Sequence, residues 1–497
     1  MVTIGVDVGT SGVKMLAMDI TGAVLKIVSR EYPLYMDGST GWAEQEPNDW
    51  WAQTADGLRE LTGEVAAMGK KVEALSFSGQ MHGLVVLDEN DNVIRRAILW
   101  NDQRTQAQCD YLNNTIGRDK LLEHTGNIAL TGFTLPKILW MKDNEPELFA
   151  KIRKIMLPKD YIAYKLSGVF ATDETDASGT LLLDVHRRAW SPIMVELAGL
   201  KPGQLPKVFA SNAVVGTVTK RAAEETRLNT QVKVVIGGGD QAVGAVGTGT
   251  VVGGMCSLSL GTSGVVFVAC DNYAVDKSTS GVHSFCHANG RYHMMGVTLG
   301  ASASNTWWTE EIIGTRDYAK EQAPISHSDL GKNSVFYLPY LSGERTPIND
   351  PYARGAFVGM TTSTGRAEMM LAVLEGVSYS LRDNLEAIRA LGVVPCSARI
   401  IGGGAKSPLW CQITADILGL RVDKINSEEG PAFGAAILAA VGAGAFATVE
   451  EACNKLIAVT ETYQPNAESV KRYSLRYPIY RGLYIALADT FAKMQQV

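Results

Sequence analysis

A chain of 497 residues is too long for one hydrophobic core, so two or three domains are expected. Its net charge of −6 comes from acidic and basic residues scattered along the chain, which excludes the basic footprint of a protein that binds nucleic acid or an anionic membrane surface. The seven cysteines contain no CxxC pair, which argues against a zinc site or a disulfide framework. No basic segment followed by an apolar run opens the chain, and we expect a reducing, cytoplasmic setting.

The first half begins with alternating strand patterns separated by tight turns, which predict an antiparallel meander. A helix is predicted to begin at Pro47, and two later strands run into glycine-rich loops, SGQMHG and GGGDQAVGAVG. The predicted strands are Val2–Val8, Val13–Asp19, Ala23–Arg30, Val72–Phe77 and Val232–Ile236.

The second half repeats this order of elements. A strand, a GTSG turn and a strand are predicted at Met255–Ala269, a long amphipathic helix at Ala367–Leu391, and a strand at Ala398–Ile401 that runs into GGGAKS. A strand at Arg421–Ile425 then leads to a helix of small residues. The repeated order predicts an internal duplication, with one domain at 1–247 and a second at 248–497 that ends in a closing helix.

The GTSG sequence occurs twice, each time between two predicted strands. Such a hairpin presents backbone N–H groups and two hydroxyls at one tip, which forms a concavity that binds an anion. A single copy would be an ordinary hairpin turn. Because both copies keep their hydroxyls and lie in related halves, we predict that they hold one polyphosphate from opposite sides. The predicted contacts are Gly9, Thr10 and Ser11 in the first turn and Gly261, Thr262 and Ser263 in the second.

Only the first turn has charged neighbours, Asp7 before it and Lys14 after it, whereas Ser259 and Val266 occupy these places in the second. A carboxylate at the end of a strand beside phosphates is a natural partner for Mg²⁺, so Asp7 is the predicted metal-binding residue. Lys14 could offer a positive charge to the phosphates, or it could be a solvated strand residue.

A third loop, formed by Gly402, Gly403 and Gly404, joins a predicted strand to a helix that starts near Ser407. Bare glycine backbone lets a flat ring lie against it, and the helix N-terminus would point its dipole into the cleft. This loop is predicted to bind the adenosine part of ATP.

A fourth loop, GGGD, places Asp240 at the start of a helix. Asp240 could be merely the N-cap of that helix. The alternative is a general base that takes a proton from a substrate hydroxyl as it attacks phosphorus, because phosphoryl transfer needs little beyond in-line placement, a metal and such a base.

Two longer segments resemble the signatures of the FGGY carbohydrate kinases: GFTLPKILWMKDN at Gly132–Asn144 and GAFVGMTTSTGRAEMMLAVLE at Gly355–Glu375. The resemblance runs over nearly the whole chain. It implies an α/β, duplicated actin-like ATPase (ribonuclease H-like) fold with two lobes around a nucleotide cleft. The segments SGQMHG, ILWNDQR, LPKDY and YLSGERTP resemble most closely the members that act on a ketopentose, which implies ATP-dependent phosphorylation of D-xylulose to D-xylulose 5-phosphate.

The resemblance also implies roles for matching residues. Asp240 matches the catalytic base, Met81 and His82 match the pair that contacts the ketose, and Asp7 matches the acid that orients Mg²⁺ and phosphates. The three glycine loops match the phosphate turns and the adenosine loop. Gln241, a further substrate-binding position, departs from the Asn found in many relatives, and its extra methylene would shift the sugar contact or route it through water. The implied partners are a sugar and ATP with Mg²⁺, no nucleic acid, no membrane and a second copy in a homodimer.

Two alternatives remain open. One is a kinase for another ketose or polyol, such as L-xylulose, ribulose, gluconate or a hexulose. The other is an actin-like or chaperone-like ATPase whose output is conformational change or assembly, since that class shares the phosphate turns. The acid after the GGG loop, and the lack of a long peptide-binding appendage beyond the duplicated halves, count against this second alternative.

Overall fold

The computed structural model describes residues 1–278, 280–427 and 429–494. Its longer strands form two large sheets, one in each half of the chain. The first sheet contains β1 (Val2–Val8), β2 (Gly12–Asp19), β3 (Val24–Glu31), β4 (Val72–Gly79), β5 (Val214–Thr217), β6 (Lys233–Val235) and β7 (Gly238–Gly239). The second contains β8 (Met255–Leu260), β9 (Gly264–Cys270), β10 (His283–Cys286), β11 (Tyr292–Thr298), β12 (Ser397–Ile401), β13 (Val422–Ile425) and β14 (Val459–Tyr463).

The two sheets share one topology. Their orders are β3-β2-β1-β4-β6-β5 and β11-β9-β8-β12-β13-β14. In each, three antiparallel strands are followed by two parallel pairings and a final antiparallel strand. Each sheet also has one extra strand. In the first sheet β7 pairs with β4, and in the second β10 pairs with β11. The predicted meander and the predicted duplication of the fold are both confirmed.

Helices cover the sheets. Those of the first half are α1 (Pro47–Ala67), α2 (Gln106–Asp110), α3 (Arg118–Thr125), α4 (Thr134–Asn144), α5 (Pro146–Phe149), α6 (Pro158–Ser167), α7 (Glu174–Ser178), α8 (Pro192–Leu197), α9 (Lys220–Thr226) and α10 (Asp240–Gly247). Those of the second half are α11 (Ser302–Thr306), α12 (Tyr318–Gln322), α13 (Arg366–Arg389), α14 (Pro408–Leu418), α15 (Gly430–Ala443), α16 (Val449–Leu456) and α17 (Ala467–Met494).

Short ladders lie outside the two large sheets. They pair Tyr35–Asp37 with Trp42–Gln45 and Ala97–Ile98, Val85–Leu87 with Lys154–Met156, Ala171–Asp173 with Lys207–Phe209, Leu183–Asp184 with Ala189–Trp190, and Phe336–Leu338 with Ala356–Val358.

The two halves exchange helices where they meet. Helix α15, from the second half, packs on β1, β2 and β4 of the first sheet, and Thr3 Oγ1 donates to the carbonyl of Ala436 at 3.0 Å. Helix α10, from the first half, packs on α15 and also contacts β9, where Ala245 forms one buried cluster with Phe267 and Ala269. The order across the junction is therefore first sheet, α15, α10, second sheet. Small side chains in both helices permit this close stacking.

The last helix closes the second half, as predicted. Tyr473, Tyr477 and Tyr480 of α17 are buried in the second-half core, where the Tyr379 and Tyr480 rings stack at 4.9 Å. Tyr477 donates to Asp383 Oδ1 at 2.5 Å, so its hydroxyl is satisfied in the interior. Among the described residues, no helix has both the length and the apolar character needed to cross a membrane.

Candidate active site

A cavity of about 270 Å³ lies between the two halves, and we call it the inner cavity. The first half contributes all four of the predicted substrate-binding residues, Met81, His82, Asp240 and Gln241. The second half contributes Ser263 of the second GTSG turn together with several side chains of the β10–β11 region. Residues predicted from separate parts of the sequence thus line one cavity, whose size suits a monosaccharide and not a nucleotide.

Asp240 is the first residue of α10, and the N-cap position is taken by Gly239. Asp240 is therefore not the N-cap that the sequence left open. Burial, and next the negative charge of Asp7, raise the pKa of Asp240 to about 7, although hydrogen bonds from Gln241 oppose the shift. A carboxyl group with a pKa near neutrality, in a cavity between two lobes, is suited to accept a proton at physiological pH.

Asp7 lies at the end of β1, opposite Lys14 on β2 and beside Ser78 on β4. Its Oδ1 atom is buried and has no hydrogen-bond partner among the described residues. Burial raises the pKa of Asp7, against the opposing effects of Ser78 and Lys14. No group of three or more His, Cys, Asp or Glu residues able to hold a metal occurs in the described parts of the chain. One carboxylate with an orphaned oxygen fits Mg²⁺, which usually binds one or two carboxylates, water and substrate phosphates.

His82 is held in an uncommon backbone conformation, with φ of 69°. Its carbonyl accepts hydrogen bonds from Lys137 Nζ at 2.9 Å and Thr134 Oγ1 at 3.1 Å. Its Nδ1 donates to the carbonyl of Gly179 at 2.8 Å, and a Cβ on Gly179 would lie 2.4 Å from that nitrogen. Burial, and next the charge of Lys137, lower the pKa of His82 well below its ordinary value. A neutral imidazole that donates through Nδ1 keeps Nε2 as an acceptor for a hydroxyl group.

Met81 lies directly against the backbone that precedes Asp240. A Cβ on Gly239 would be 2.9 Å from Met81 Cγ and 3.0 Å from its sulfur, so glycine is needed for this approach. Met81 is only 5% exposed, and its flexible thioether forms one wall of the inner cavity.

The first GTSG turn is anchored through its carbonyl groups. Tyr32 and Gln80 donate to the carbonyl of Gly9 at 2.5 and 3.3 Å, and Gln45 donates to that of Thr10 at 2.7 Å. Within the described residues, the backbone N–H groups of Thr10 and Ser11 have no partner. Carbonyls turned into the protein and free N–H groups at the tip are the arrangement that binds an anion.

The second GTSG turn is anchored in the same way. The N–H of Ser302 donates to the carbonyl of Gly261 at 2.8 Å, and that of Ala301 donates to Thr262 at 3.2 Å. In the described part of the chain, the N–H groups of Thr262 and Ser263 are likewise unpartnered. Both turns therefore present donors at their tips.

Lys14 forms an ion pair with Glu429, the residue before α15, with 2.5 Å between Lys14 Nζ and Glu429 Oε2. Neither of the alternatives weighed for Lys14 included this contact, which joins the two halves. Both side chains are substantially exposed, so the pair contributes little to stability.

A second cavity, of about 670 Å³, lies between the third glycine loop and helices α11, α12 and α14, and we call it the glycine-loop cavity. Gly403 and Gly404 line it together with Ser302. Ser302 Oγ also donates to the carbonyl of Leu260, immediately before the second GTSG turn, at 2.7 Å. The second GTSG turn thus lies between the two cavities, since it is bonded to Ser302 of the glycine-loop cavity and contributes Ser263 to the inner cavity.

The three glycines of this loop differ in the space around the position where a side chain would begin. Gly402 has φ of 94°, and a Cβ there would lie 2.7 Å from the carbonyl of Leu260. A Cβ on Gly404 would lie 2.8 Å from the buried ring of Trp410. Only Gly403 has open space where a side chain would be, so it alone leaves bare backbone toward a ligand.

Sequence reasoning did not identify the polar wall that the second half contributes. His283 and Arg345 both line the inner cavity. The carboxylate of neighbouring Glu344 accepts hydrogen bonds from Thr298 Oγ1 and from the backbone N–H groups of Leu299 and Arg345. The one available signal was that Arg345 is a charged residue near a glycine in the YLSGERTP segment. Nothing in the sequence around that segment indicates that it lies close to Asp240.

Comparison with known proteins agrees with this geometry. Models of the N-terminal and C-terminal domains of the FGGY family of carbohydrate kinases match residues 2–247 and 256–443. The xylulose kinase of Bacillus subtilis is 39% identical over 98% of this chain and 97% of its own length, and that of Escherichia coli is 40% identical over 98% and 100%. The crystal structure of a xyloylose kinase from Brucella ovis has a TM-score of 0.92 at 35% identity and covers 99% of this chain and 100% of that one. The chain therefore belongs to the FGGY family of carbohydrate kinases.

Proposed function

We propose that this carbohydrate kinase transfers the γ-phosphoryl group of ATP to the 5-hydroxyl of D-xylulose, with Asp240 as the general base. The observation that carries the proposal is the position of Asp240, with a pKa of about 7, in a sugar-sized cavity that Ser263 of the second GTSG turn also lines. The relatives from Bacillus subtilis and Escherichia coli, 39% and 40% identical over nearly the full length of the chain, are xylulose kinases, which favours xylulose among the possible sugars.

The reaction needs one proton acceptor and one aligned hydroxyl. Asp240 takes the proton of the 5-hydroxyl while that oxygen attacks the γ-phosphorus, and the bond from phosphorus to the bridging oxygen breaks to release ADP. His82 Nε2 accepts a hydrogen bond from a second hydroxyl, Met81 covers the apolar face of the sugar, and Gln241 completes the polar wall. These contacts orient the substrate before proton transfer.

The nucleotide extends from the glycine-loop cavity past the second GTSG turn toward the inner cavity. Adenosine lies against Gly403, and the N–H groups and hydroxyls of the two GTSG turns hold the phosphates. Asp7 would hold Mg²⁺, which when bound neutralises phosphate charge. We assign sugar binding to residues 1–247 and nucleotide binding mainly to 248–497, although the exchanged helices α10 and α15 cross that division.

Replacing Asp240 tests the assignment of the base. Asp240→Asn keeps the shape of the side chain and removes its basicity, and we expect kcat to fall by about 10²- to 10⁴-fold. ADP release with D-xylulose, L-xylulose, ribulose and gluconate should be measured by a coupled assay, and the position of the phosphate by NMR of the product.

Two results would contradict the proposal. Near-normal turnover by Asp240→Asn would remove Asp240 as the base. ATP hydrolysis by the wild-type enzyme that no sugar accelerates would favour an ATPase with a conformational output instead.

A further inference from the structure

Behind the inner cavity lies a buried ionic cluster that the proposed reaction does not use. Lys159 is fully buried, and its Nζ contacts Asp160 Oδ1 at 2.6 Å and Asp173 Oδ1 at 3.0 Å. Burial alone would lower the pKa of Lys159, but the charges of Asp160 and Asp173 more than offset this and raise it. Lys159 is therefore an ammonium ion in the interior, and none of these three residues lines the inner cavity.

A chain of hydrogen bonds connects this cluster to Asp240. Asp173 Oδ2 accepts a hydrogen bond from Thr175 Oγ1 at 2.7 Å and another from Ser211 Oγ at 2.8 Å. Thr175 Oγ1 in turn accepts the backbone N–H of Gly239 at 2.9 Å. Gly239 is the N-cap of α10, and Asp240 is the next residue. The path from Lys159 to the backbone of Asp240 thus has no gap.

Packing allows little freedom around this path. A Cβ on Gly238 would lie 2.5 Å from Thr175 Oγ1, and a Cβ on Gly79 would lie 2.9 Å from Lys159 Cβ. Gly238 and Gly79 belong to the paired strands β7 and β4. Strand β7, which leads to Asp240, is therefore pressed against Thr175 and its partner β4 against Lys159, and glycine is needed at each contact.

Stability is a poor explanation for a buried ion pair, because desolvation of both charges offsets most of their attraction. An unbroken chain of hydrogen bonds does however fix geometry, and catalysis is sensitive to displacements of about 1 Å. We propose that Thr175, Asp173 and Lys159 are positioning residues that hold the N-terminus of α10, and with it the carboxylate of Asp240, in place for proton transfer. This inference rests on the proposed role of Asp240 as the base.

Thr175→Val tests the inference in the full-length enzyme, since valine keeps the shape and removes both hydrogen bonds of the hydroxyl. We expect kcat with D-xylulose to fall about tenfold to hundredfold, because the base is displaced while the binding surfaces remain. The KM for ATP should stay close to that of the wild type, and the KM for D-xylulose should change by a smaller factor than kcat, because Gln241 moves with Asp240 while Met81 and His82 stay in place. Thr175→Ser keeps the hydroxyl and should restore most of kcat.

Thr226→Val is a matched control. Thr226 is also fully buried in the first half, and its hydroxyl donates to the carbonyl of Ala222 at 2.7 Å and accepts the N–H of Leu228 at 3.3 Å. Thr226→Val also removes two hydrogen bonds of a buried hydroxyl, but none of them leads to Asp240. Its kcat should therefore be unchanged even if its melting temperature falls.

The outcomes separate the two proposals. An unchanged kcat in Thr175→Val, an equal loss in Thr226→Val, or a failure of Thr175→Ser to rescue would each overturn the positioning role. If Asp240→Asn is inactive while Thr175→Val is normal, only the positioning role fails. If Asp240→Asn remains active, the assignment of the base fails, and the positioning role fails with it.

Discussion

The contact between the exchanged helices makes a sharp prediction for Gly434→Ala. Gly434 lies in the interior of α15, where it faces the backbone of α10. A Cβ at this position would stand 1.9 Å from the carbonyl oxygen of Val243 and 2.7 Å from the backbone nitrogen of Gly247. Backbone atoms on a packed helix cannot rotate away, so the methyl group must push the two helices apart.

The expected cost follows from two opposing effects. Overpacking a well-filled interior costs about 1–3 kcal/mol and sometimes more. Because the new methyl group meets two backbone atoms of α10, we place the cost at this site at or above about 3 kcal/mol. Alanine recovers up to about 1 kcal/mol because it favours the helix more than glycine does. The net loss is therefore about 2–3 kcal/mol, which lowers the melting temperature by about 5–10 °C for a domain of this size.

Gly63→Ala is the matched comparison. Gly63 lies in the interior of α1, is exposed, and has no atom within 4 Å of the added Cβ. The same chemical change should here raise stability by about 0.5–1 kcal/mol. Melting curves followed by circular dichroism would show opposite signs for the two variants. A Gly434→Ala enzyme that melts at or above the wild-type temperature would refute the reasoning from the helix contact.

Two further predictions concern the inner cavity. Because burial, and next the charge of Asp7, raise the pKa of Asp240 to about 7, the ionised base accumulates as the pH rises. We expect kcat/KM for the sugar to increase about tenfold from roughly pH 6 to pH 8, and a flat profile would contradict the assignment. Arg345→Met removes a charged donor worth about 1.5–3 kcal/mol, so KM for the sugar should rise at least about tenfold with little change in KM for ATP. Arg316→Met, at a side chain that is 87% exposed, is the control. An unchanged KM for the sugar in Arg345→Met would exclude a contact between Arg345 and the sugar.

Much of the fold could be predicted because the sequence pattern is local there. Strand β1 occurs at Val2–Val8 as predicted, and α13 spans Arg366–Arg389 where Ala367–Leu391 was expected. Strict alternation with GTSG turns, and apolar residues at helical spacing, carry that information. The helix exchange could not be predicted, because α15 is apolar on all sides and has no separate apolar stripe that would indicate a partner.

The site was predictable to the same extent. Asp240 and His82 each stand beside glycines just after a strand, so each carries its own local signal. Arg345 lies on a loop of the other half, and its place beside Asp240 is set by long-range packing. Lys159 gave no signal either, since a lysine next to an aspartate in a helix normally indicates a solvated surface and only the fold buries both.

These observations together change how the position of the base should be understood. Asp240 belongs to the first half by sequence, but the helix that it begins packs on α15 and on β9 of the second sheet. Thr175 fixes the first turn of that helix from the first half, while Gly434 allows α15 to support its body. A base on the surface of one lobe would shift with that lobe whenever the cleft changed width. The proposed base at the shared junction is instead held by both sheets. A sugar bound mainly by the first half, and phosphates held by one turn from each half, would then meet a proton acceptor whose position both halves determine.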